Sequence, residues 1–152
     1  MKLLVFSDSH GVTDSMLYII KRENPDGVIH CGDHKKDADL IRRKCRNLNV
    51  YSVVGNCDYY ADGETELLFT LCGKRFYITH GHLHGIKRDY TRLIYAGMEY
   101  GADVVICGHT HIPLYEVVDG MHLINPGSIT FGKHGYGIIE MDDDSFTYTP
   151  KN

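Results

Sequence analysis

Short apolar runs along this chain end, one after another, on an Asp, Asn or His that stands beside glycine. Lys2 to Phe6 runs into Asp8-Ser9-His10-Gly11, Gly27 to Cys31 into Gly32-Asp33, and Asn49 to Val54 into Gly55-Asn56. Arg75 to Thr79 then leads into His80-Gly81, and Asp103 to Cys107 into Gly108-His109-Thr110-His111. Apolar runs of this length read as buried strands, and glycine lets the backbone turn close to a ligand at each strand end. Open α/β sheets bind ligands in the crevice outside the carboxyl ends of their strands, so a fold that gathers these ends also gathers the polar residues.

Between the runs, Asp14 to Arg22 and Ala38 to Arg46 fit helices. The resulting βαβαβ order favours parallel strands with right-handed crossovers. After Asn56 the pattern changes. Thr65 to Leu71 and Arg75 to Thr79 are separated only by Cys72-Gly73-Lys74, which predicts an antiparallel hairpin. Thr91 to Tyr100 reads as a helix ending at Gly101. Leu114 to Val118 and Met121 to Ile124 flank the turn Asp119-Gly120. Tyr136 to Met141 and Phe146 to Thr149 flank Asp142-Asp143-Asp144, and Asn125-Pro126-Gly127-Ser128 is a turn between strands. This strand-rich finish predicts a second sheet. No fixed-period repeat or low-complexity linker interrupts the chain, so one domain is expected over residues 1–152.

A length of 152 residues with 43% hydrophobic content suits one enzyme-sized domain. The 16 Lys+Arg against 20 Asp+Glu give a formal charge of -4, which argues against a broad electrostatic footprint for duplex nucleic acid and leaves room for a local cationic site. Cys31, Cys45, Cys57, Cys72 and Cys107 are odd in number and contain no CxxC pair. They fit neither a disulfide framework nor a zinc ribbon and point to a reducing compartment. The apolar run from Met1 to Phe6 is too short for a signal peptide or membrane span. A cytoplasmic protein without membrane partners or a stable nucleic-acid complex is therefore expected.

Asp8 and His10, two positions apart, can face the same side of an extended chain end and share a cation. Alone, they also fit an Asp capping the next helix beside a surface His, with Asp14 a competing cap. His109 and His111 can reach different metals if the backbone between them bends. Together, Asp8, His10, Asp33, Asn56, His80, His109 and His111 point to two adjacent metal ions. Imidazole suits transition metals whereas calcium prefers oxygen, so this mixed set fits Mn, Fe, Ni, Co or Zn better than a calcium site.

The blocks Asp8-Ser9-His10, Gly32-Asp33, Gly55-Asn56-Cys57-Asp58, His80-Gly81-His82, Gly108-His109-Thr110-His111 and Asn125-Pro126-Gly127-Ser128 resemble, in that order, the calcineurin-like metallophosphoesterases, especially their small YfcE-like phosphodiesterase branch. The resemblance covers nearly all of the chain. It implies an α/β fold, a four-layer α/β/β/α sandwich of two mixed β-sheets flanked by helices. It also implies that Asp8, His10 and His111 bind one divalent metal, that Asn56, His80 and His109 bind a second, and that Asp33 bridges them. Mn is the first-choice ion on this resemblance, and a metal-dependent phosphodiesterase or phosphatase acting on a small phosphorylated substrate is the implied activity.

Two divalent ions would outweigh the two carboxylates and make the site an anion trap. At roughly 3.5–4 Å separation, two metals can share a water, lower its pKa and stabilise both the attacking and the leaving oxygen. The expected reaction is in-line hydrolysis by metal-bound hydroxide with no covalent phosphoenzyme, in which Asp33, Asn56 and His109 act through metal and phosphate positioning. A catalytically inactive retromer-type scaffold is the alternative from another class, and a metal-dependent nuclease ranks below it. The strand-rich end could provide a surface for a homo-oligomer.

Cys57 stands where the wider superfamily often carries a His that helps with substrate phosphate or leaving-group protonation. A mostly neutral thiol donates weakly, which predicts a preference for diesters or good leaving groups; alternatively it fills a loop as a small residue. His82, His84 and His34 either contact substrate and orient ligands or are ordinary loop histidines. Asp58 either bonds a ligand histidine or caps the segment after it. His30, His122 and His134 read as strand or loop polar groups, and Tyr59-Tyr60 as a packing pair or the border of a substrate base. Lys35-Lys36 and Arg42-Arg43-Lys44 read as solvated helix faces.

Overall fold

Alternation along the first strand sets the layering. In a strand successive side chains point to opposite faces, so Leu3 and Val5 of β1 (Lys2–Phe6) bury on one side and Leu4 and Phe6 on the other. The computed structural model describes residues 1–130 and 135–151; His134 lies outside them. Along the chain follow α1 (Thr13–Glu23), β2 (Gly27–His30), α2 (Lys35–Lys44), β3 (Asn49–Ser52), β4 (Glu66–Leu71) and β5 (Lys74–Thr79). A 3-10 turn over His82–His84 precedes α3 (Thr91–Glu99), β6 (Val104–Ile106), β7 (Leu114–Val118), β8 (Met121–Asn125), β9 (Tyr136–Met141) and β10 (Phe146–Lys151).

Two five-stranded mixed sheets result, ordered β10-β9-β1-β2-β3 and β4-β5-β6-β8-β7. Leu3, Val5, Ile29 and Cys31 of the first sheet pack against Phe76, Ile78, Val104, Ile106 and Ile124 of the second. The outer face of the first sheet, with Leu4, Phe6 and Val28, is covered by Met16, Ile19 and Ile20 of α1 and Ile41 of α2. Tyr77, Val105 and Leu123 on the far side of the second sheet are covered by Leu93 of α3. This is the four-layer α/β/β/α sandwich. Each such side chain contributes roughly 1.5–3 kcal/mol when fully buried, so the strands are held from both faces.

β1, β2 and β3 are parallel, as the βαβαβ order predicts. β5, β6 and β8 are parallel in the other sheet, while β4 and β7 join it as antiparallel hairpins. The closing hairpin does not join that second sheet. β9 pairs antiparallel with β1, Leu3 opposite Ile139, and β10 forms the edge beyond it. All of the strand ends that carry the polar residues therefore open on one side of the sandwich.

Asp14 is not the cap of α1: the capping position is Val12, which makes no side-chain cap bond, and Asp14 lies in the first turn. α2 starts at Lys35, three residues before the expected Ala38, because a carboxylate from a distant loop satisfies its first amides. Its basic residues are not merely solvated. Lys35 and Arg42 both pair with Asp39, and Arg42 also donates to the Val50 carbonyl and the Ser52 hydroxyl of β3.

Candidate metal centre

Beyond β1, β2 and β6, the loops at this edge turn through a left-handed backbone conformation that residues other than glycine seldom adopt. Asp8, His10, Asp33, His109 and His111 have φ of 52°, 43°, 56°, 64° and 60°. Conformations of this kind cost of order 1–3 kcal/mol each and persist where the surroundings over-determine them. Here they bring four of the five side chains into one volume and turn His109 toward His80. One ligand atom from each of Asp8, His10, Asp33 and His111 lies within 4.8 Å of the others.

The remaining three residues adjoin this group. His80 Nε2 lies 3.4 Å from Asp33 Oδ1 and 3.1 Å from Asn56 Oδ1, and the rings of His80 and His109 are 5.0 Å apart. Asp33 Oδ2 meanwhile stands 3.9 Å from His10 Nε2. The Asp33 carboxylate thus sits between His10 on one side and His80 with Asn56 on the other. His109 and His111 diverge, the first toward His80 and the second to within 3.0 Å of Asp8 Oδ1.

These residues fit a cation. Asp8 is fully buried, yet its Oδ1 accepts no hydrogen bond, since His111 Nε2 is close but not aligned to donate. A buried carboxylate oxygen without a partner is costly, and a metal between the two atoms would satisfy both. His80 Nδ1 lies 2.6 Å from the Cys31 carbonyl, to which it donates, leaving the Nε2 lone pair toward Asp33 and Asn56. Metal-ligating histidines are typically oriented by such a second hydrogen bond.

Electrostatics reflect the crowding. Burial raises the Asp8 pKa against the opposing pull of His80. Burial acts the same way on Asp33, but the His80 imidazole and the Cys57 N–H outweigh it and hold that carboxyl well below the usual range. His80 loses charge stability through burial and regains more from Asp33 and Asp8, so its pKa rises. His109 is pushed down to about 4 by burial, then by the charges of His80 and Lys87.

The scaffold that aims these groups is polar, buried and mostly hidden from sequence reasoning. Asp58 accepts from the His34 and Lys35 amides at 2.9 and 2.7 Å and from the Gly55 amide at 2.8 Å, tying the start of α2 to the Asn56 loop. It caps a helix that precedes it in the chain, neither the segment after it nor a ligand histidine. Asp37, in the first turn of α2, accepts from the Ser9 hydroxyl at 2.7 Å and the Gly11 amide at 2.8 Å. Ser9 Oγ in turn accepts from His30 Nε2 at 2.8 Å. Across the site, Ser7 Oγ donates to Asp8 at 2.6 Å, Ser128 Oγ donates to the Asp8 carbonyl at 2.9 Å, and Asn125 donates to the Gly108 carbonyl at 2.7 Å. Ser7, Ser9, Asp37, Asn125 and Ser128 are therefore site residues that ligand spacing could not find; the Asn125-Pro126-Gly127-Ser128 turn was the one visible signal.

Residues 1–144 match the model of the calcineurin-like phosphoesterase superfamily domain. The chain belongs to this superfamily. Among relatives, Probable metallophosphoesterase YsnB of Bacillus subtilis (strain 168) is 40% identical over 97% of this chain and 88% of its own. Phosphodiesterase MJ0936 of Methanocaldococcus jannaschii is 31% identical over 84% of this chain and 83% of its own. Among solved structures, a Streptococcus pneumoniae TIGR4 protein described as a predicted phosphoesterase superposes with a TM-score of 0.82 at 29% identity, covering 98% of this chain and 87% of that one. Vps29 from Entamoeba histolytica, complexed with Zn, shares the fold at a TM-score of 0.77 and 20% identity, covering 99% and 98%.

Within the candidate site, Cys57 is exposed and does not fill packed space. Its backbone N–H donates to Asp33 at 2.9 Å, and its thiol is pushed up to about 11 by partial burial and by Asp33. His82 lies beside two of the candidate ligands, its ring 5.4 Å from His80 and 6.1 Å from His109. His34 stands 6.0 Å from the His10 ring with Nδ1 3.3 Å from Asp37. His84 is held away from the metal group by Tyr77, whose hydroxyl is 3.1 Å from His84 Nε2 and donates to Glu66. Tyr59 and Tyr60 are both exposed, so they are not a packing pair. His122, in β8, stacks beside Phe146 and bonds Tyr115. Among the described residues no helix is long and apolar enough to cross a membrane.

Proposed function

We propose that this protein is a metal-dependent phosphodiesterase that hydrolyses a small phosphorylated substrate, the whole of residues 1–152 forming one catalytic domain. The observation that carries the reading is the position of Asp33, within reach of His10 on one side and of His80 on the other. Asp8, His10 and His111 would hold one divalent ion, Asn56, His80 and His109 a second, and Asp33 would bridge them. When bound, such ions act as Lewis acids on a phosphoryl oxygen and make water more acidic. Mn is the favoured metal, with Ni, Co, Fe or Zn as alternatives suited to the same donors.

The residues of the chain then orient the reaction. Substrate phosphate enters at the open edge, where His109 and His82 flank it and the exposed Cys57 borders the leaving group. Water forms the new P–O bond as the bond to the leaving alcohol breaks, and the proton lost by water ends on the departing oxygen. A single displacement of this kind inverts configuration at phosphorus. The neutral thiol at Cys57 supports diesters over monoesters, because it cannot assist a poor leaving group as an imidazole would. The five free cysteines support a reducing, cytoplasmic location.

Metal-free protein reloaded in turn with Mn, Ni, Co, Zn and Mg tests this reading against bis(p-nitrophenyl) phosphate, p-nitrophenyl phosphate and cyclic nucleotides. The expected result is metal-dependent diester turnover, greatest with Mn and lost in Asp33→Ala. Absence of turnover under every combination, with tight binding of a protein partner, would favour the scaffold reading suggested by the Vps29 fold. His10 and His80 beside Asp33 support the enzyme over that scaffold.

A further inference from the structure

A cationic cleft lies along the segment that runs from His82 to the start of α3, outside the metal centre. The chain carries a formal charge of -4, yet between His82 and Arg92 it presents Lys87, Arg88 and Arg92 against the single carboxylate of Asp89. A cavity of about 490 Å³ opens there, lined by His84, Gly85, Arg88, Asp89, Thr91 and Arg92. Local excess of one sign in a concave site concentrates ligands of the other.

The one carboxylate is partly occupied. Asp89 Oδ1 accepts from the Thr91 amide at 3.0 Å, and its contact with Arg88 is a loose 3.7 Å between exposed side chains. Among the described residues, neither Lys87 nor Arg92 has a carboxylate within 4.0 Å. Arg88, with its side chain 93% exposed, can swing onto a ligand at little cost.

Both ends of this segment are fixed to the metal centre. At one end, His82 packs against His80 and His109. At the other, the Tyr90 hydroxyl contacts Thr110, between His109 and His111, and receives a bond from Asn125, each at 3.4 Å. The cationic residues of the cleft, Arg88 and Arg92, therefore sit on a segment tied to the metal centre at both ends. Glu66, 3.6 Å from His84 Nε2, accepts from the Tyr77 hydroxyl at 2.7 Å and does not line the cleft.

We propose that this cleft is a second anion subsite, in which Arg88 and Arg92 bind a terminal, non-reacting phosphate of the substrate. The substrate class becomes a phosphodiester of a nucleotide or similar metabolite that bears a further phosphate monoester. Guanidinium groups suit such a phosphate because their donors match its oxygens in pairs. This rests on the phosphodiesterase reading, which it narrows to a substrate class.

The test compares the p-nitrophenyl ester of thymidine 5′-phosphate with the same ester carrying a 3′-phosphate, so that leaving group and reacting phosphorus are unchanged. The wild-type enzyme should show a KM about tenfold lower for the 3′-phosphorylated ester, an advantage that shrinks with salt and disappears in Arg88→Glu/Arg92→Glu. Equal KM values in the wild type would overturn the proposal while leaving diester hydrolysis intact. Equal gain from a 3′-methyl phosphate would assign the cleft to the backbone of an oligonucleotide and overturn the metabolite class. Should neither ester be cleaved, the phosphodiesterase reading fails, and binding decides the subsite separately. Thymidine 3′,5′-bisphosphate added to metal-free protein should shift the amide resonances of Gly85, Thr91 and Arg92 at lower concentration than thymidine 5′-phosphate does. Equal titrations of the two would overturn the subsite.

Discussion

His30 gives a sharp test of how the buried polar scaffold is held. The ring is fully buried, donates from Nε2 to Ser9 and has no partner at Nδ1. Burial pushes its pKa down to about 4 from an ordinary 6.5, although Asp37 pulls the other way. The unfolded chain therefore binds a proton at this ring near pH 6.5, whereas the folded chain resists until about pH 4. Between those values the unfolded state holds more protons, so stability falls as pH falls and levels off once the folded ring is protonated. From pH 7 to pH 5 this one ring should cost about 2 kcal/mol of unfolding free energy. His30→Gln keeps a donor for Ser9 but cannot titrate. Urea unfolding of the metal-free protein, with EDTA present, should show wild type losing about 2 kcal/mol more than the variant over that interval. The other histidines are common to both proteins and cancel in the difference. Parallel pH dependences for wild type and His30→Gln would refute the reasoning.

Two further substitutions test the packing around the centre. Asp58→Ala strands the first amides of α2 and the Gly55 amide, and should lower the unfolding free energy of metal-free protein by about 3 kcal/mol in urea titrations, with Asp58→Asn retaining part of it. Gly32→Ala forces a side chain onto a residue at φ 89° and places a methyl 2.8 Å from the Gly55 nitrogen and 2.9 Å from His80 Nδ1. A destabilisation of roughly 2–4 kcal/mol is expected from strain and overlap together, read by thermal melting, with weaker Mn binding by calorimetry because His80 is displaced.

Much of the candidate metal centre was legible because its encoding is local. Strands with a period of two, ended by glycine and then by Asp, Asn or His, specify where the chain extends and which side chains emerge at its turns. β1, β7 and β9 begin and end where residue pattern alone places them, and the seven polar residues do converge at one edge. The family resemblance supplied the grouping into two sets, since spacing cannot say which strands will be neighbours.

What lay beyond the sequence depends on residues far apart in the chain. The final hairpin has the same alternating pattern whichever sheet it joins. It pairs with β1, across more than a hundred residues, because Ile138 and Ile139 there complete the packing on both faces of the first sheet. α2 gains an extra turn because Asp58 reaches back to its amides, and His30 is neutral because it is fully buried, with Ser9, itself bonded to Asp37 of α2, as its partner. The sequence by itself determined the donor chemistry and the strand-end positions; tertiary structure decided which donors face one another, which carboxylates support them and which cations line the adjoining cleft. Local conformation follows from neighbours along the chain, whereas burial, field and register are properties of surfaces that exist only once the sheets have closed.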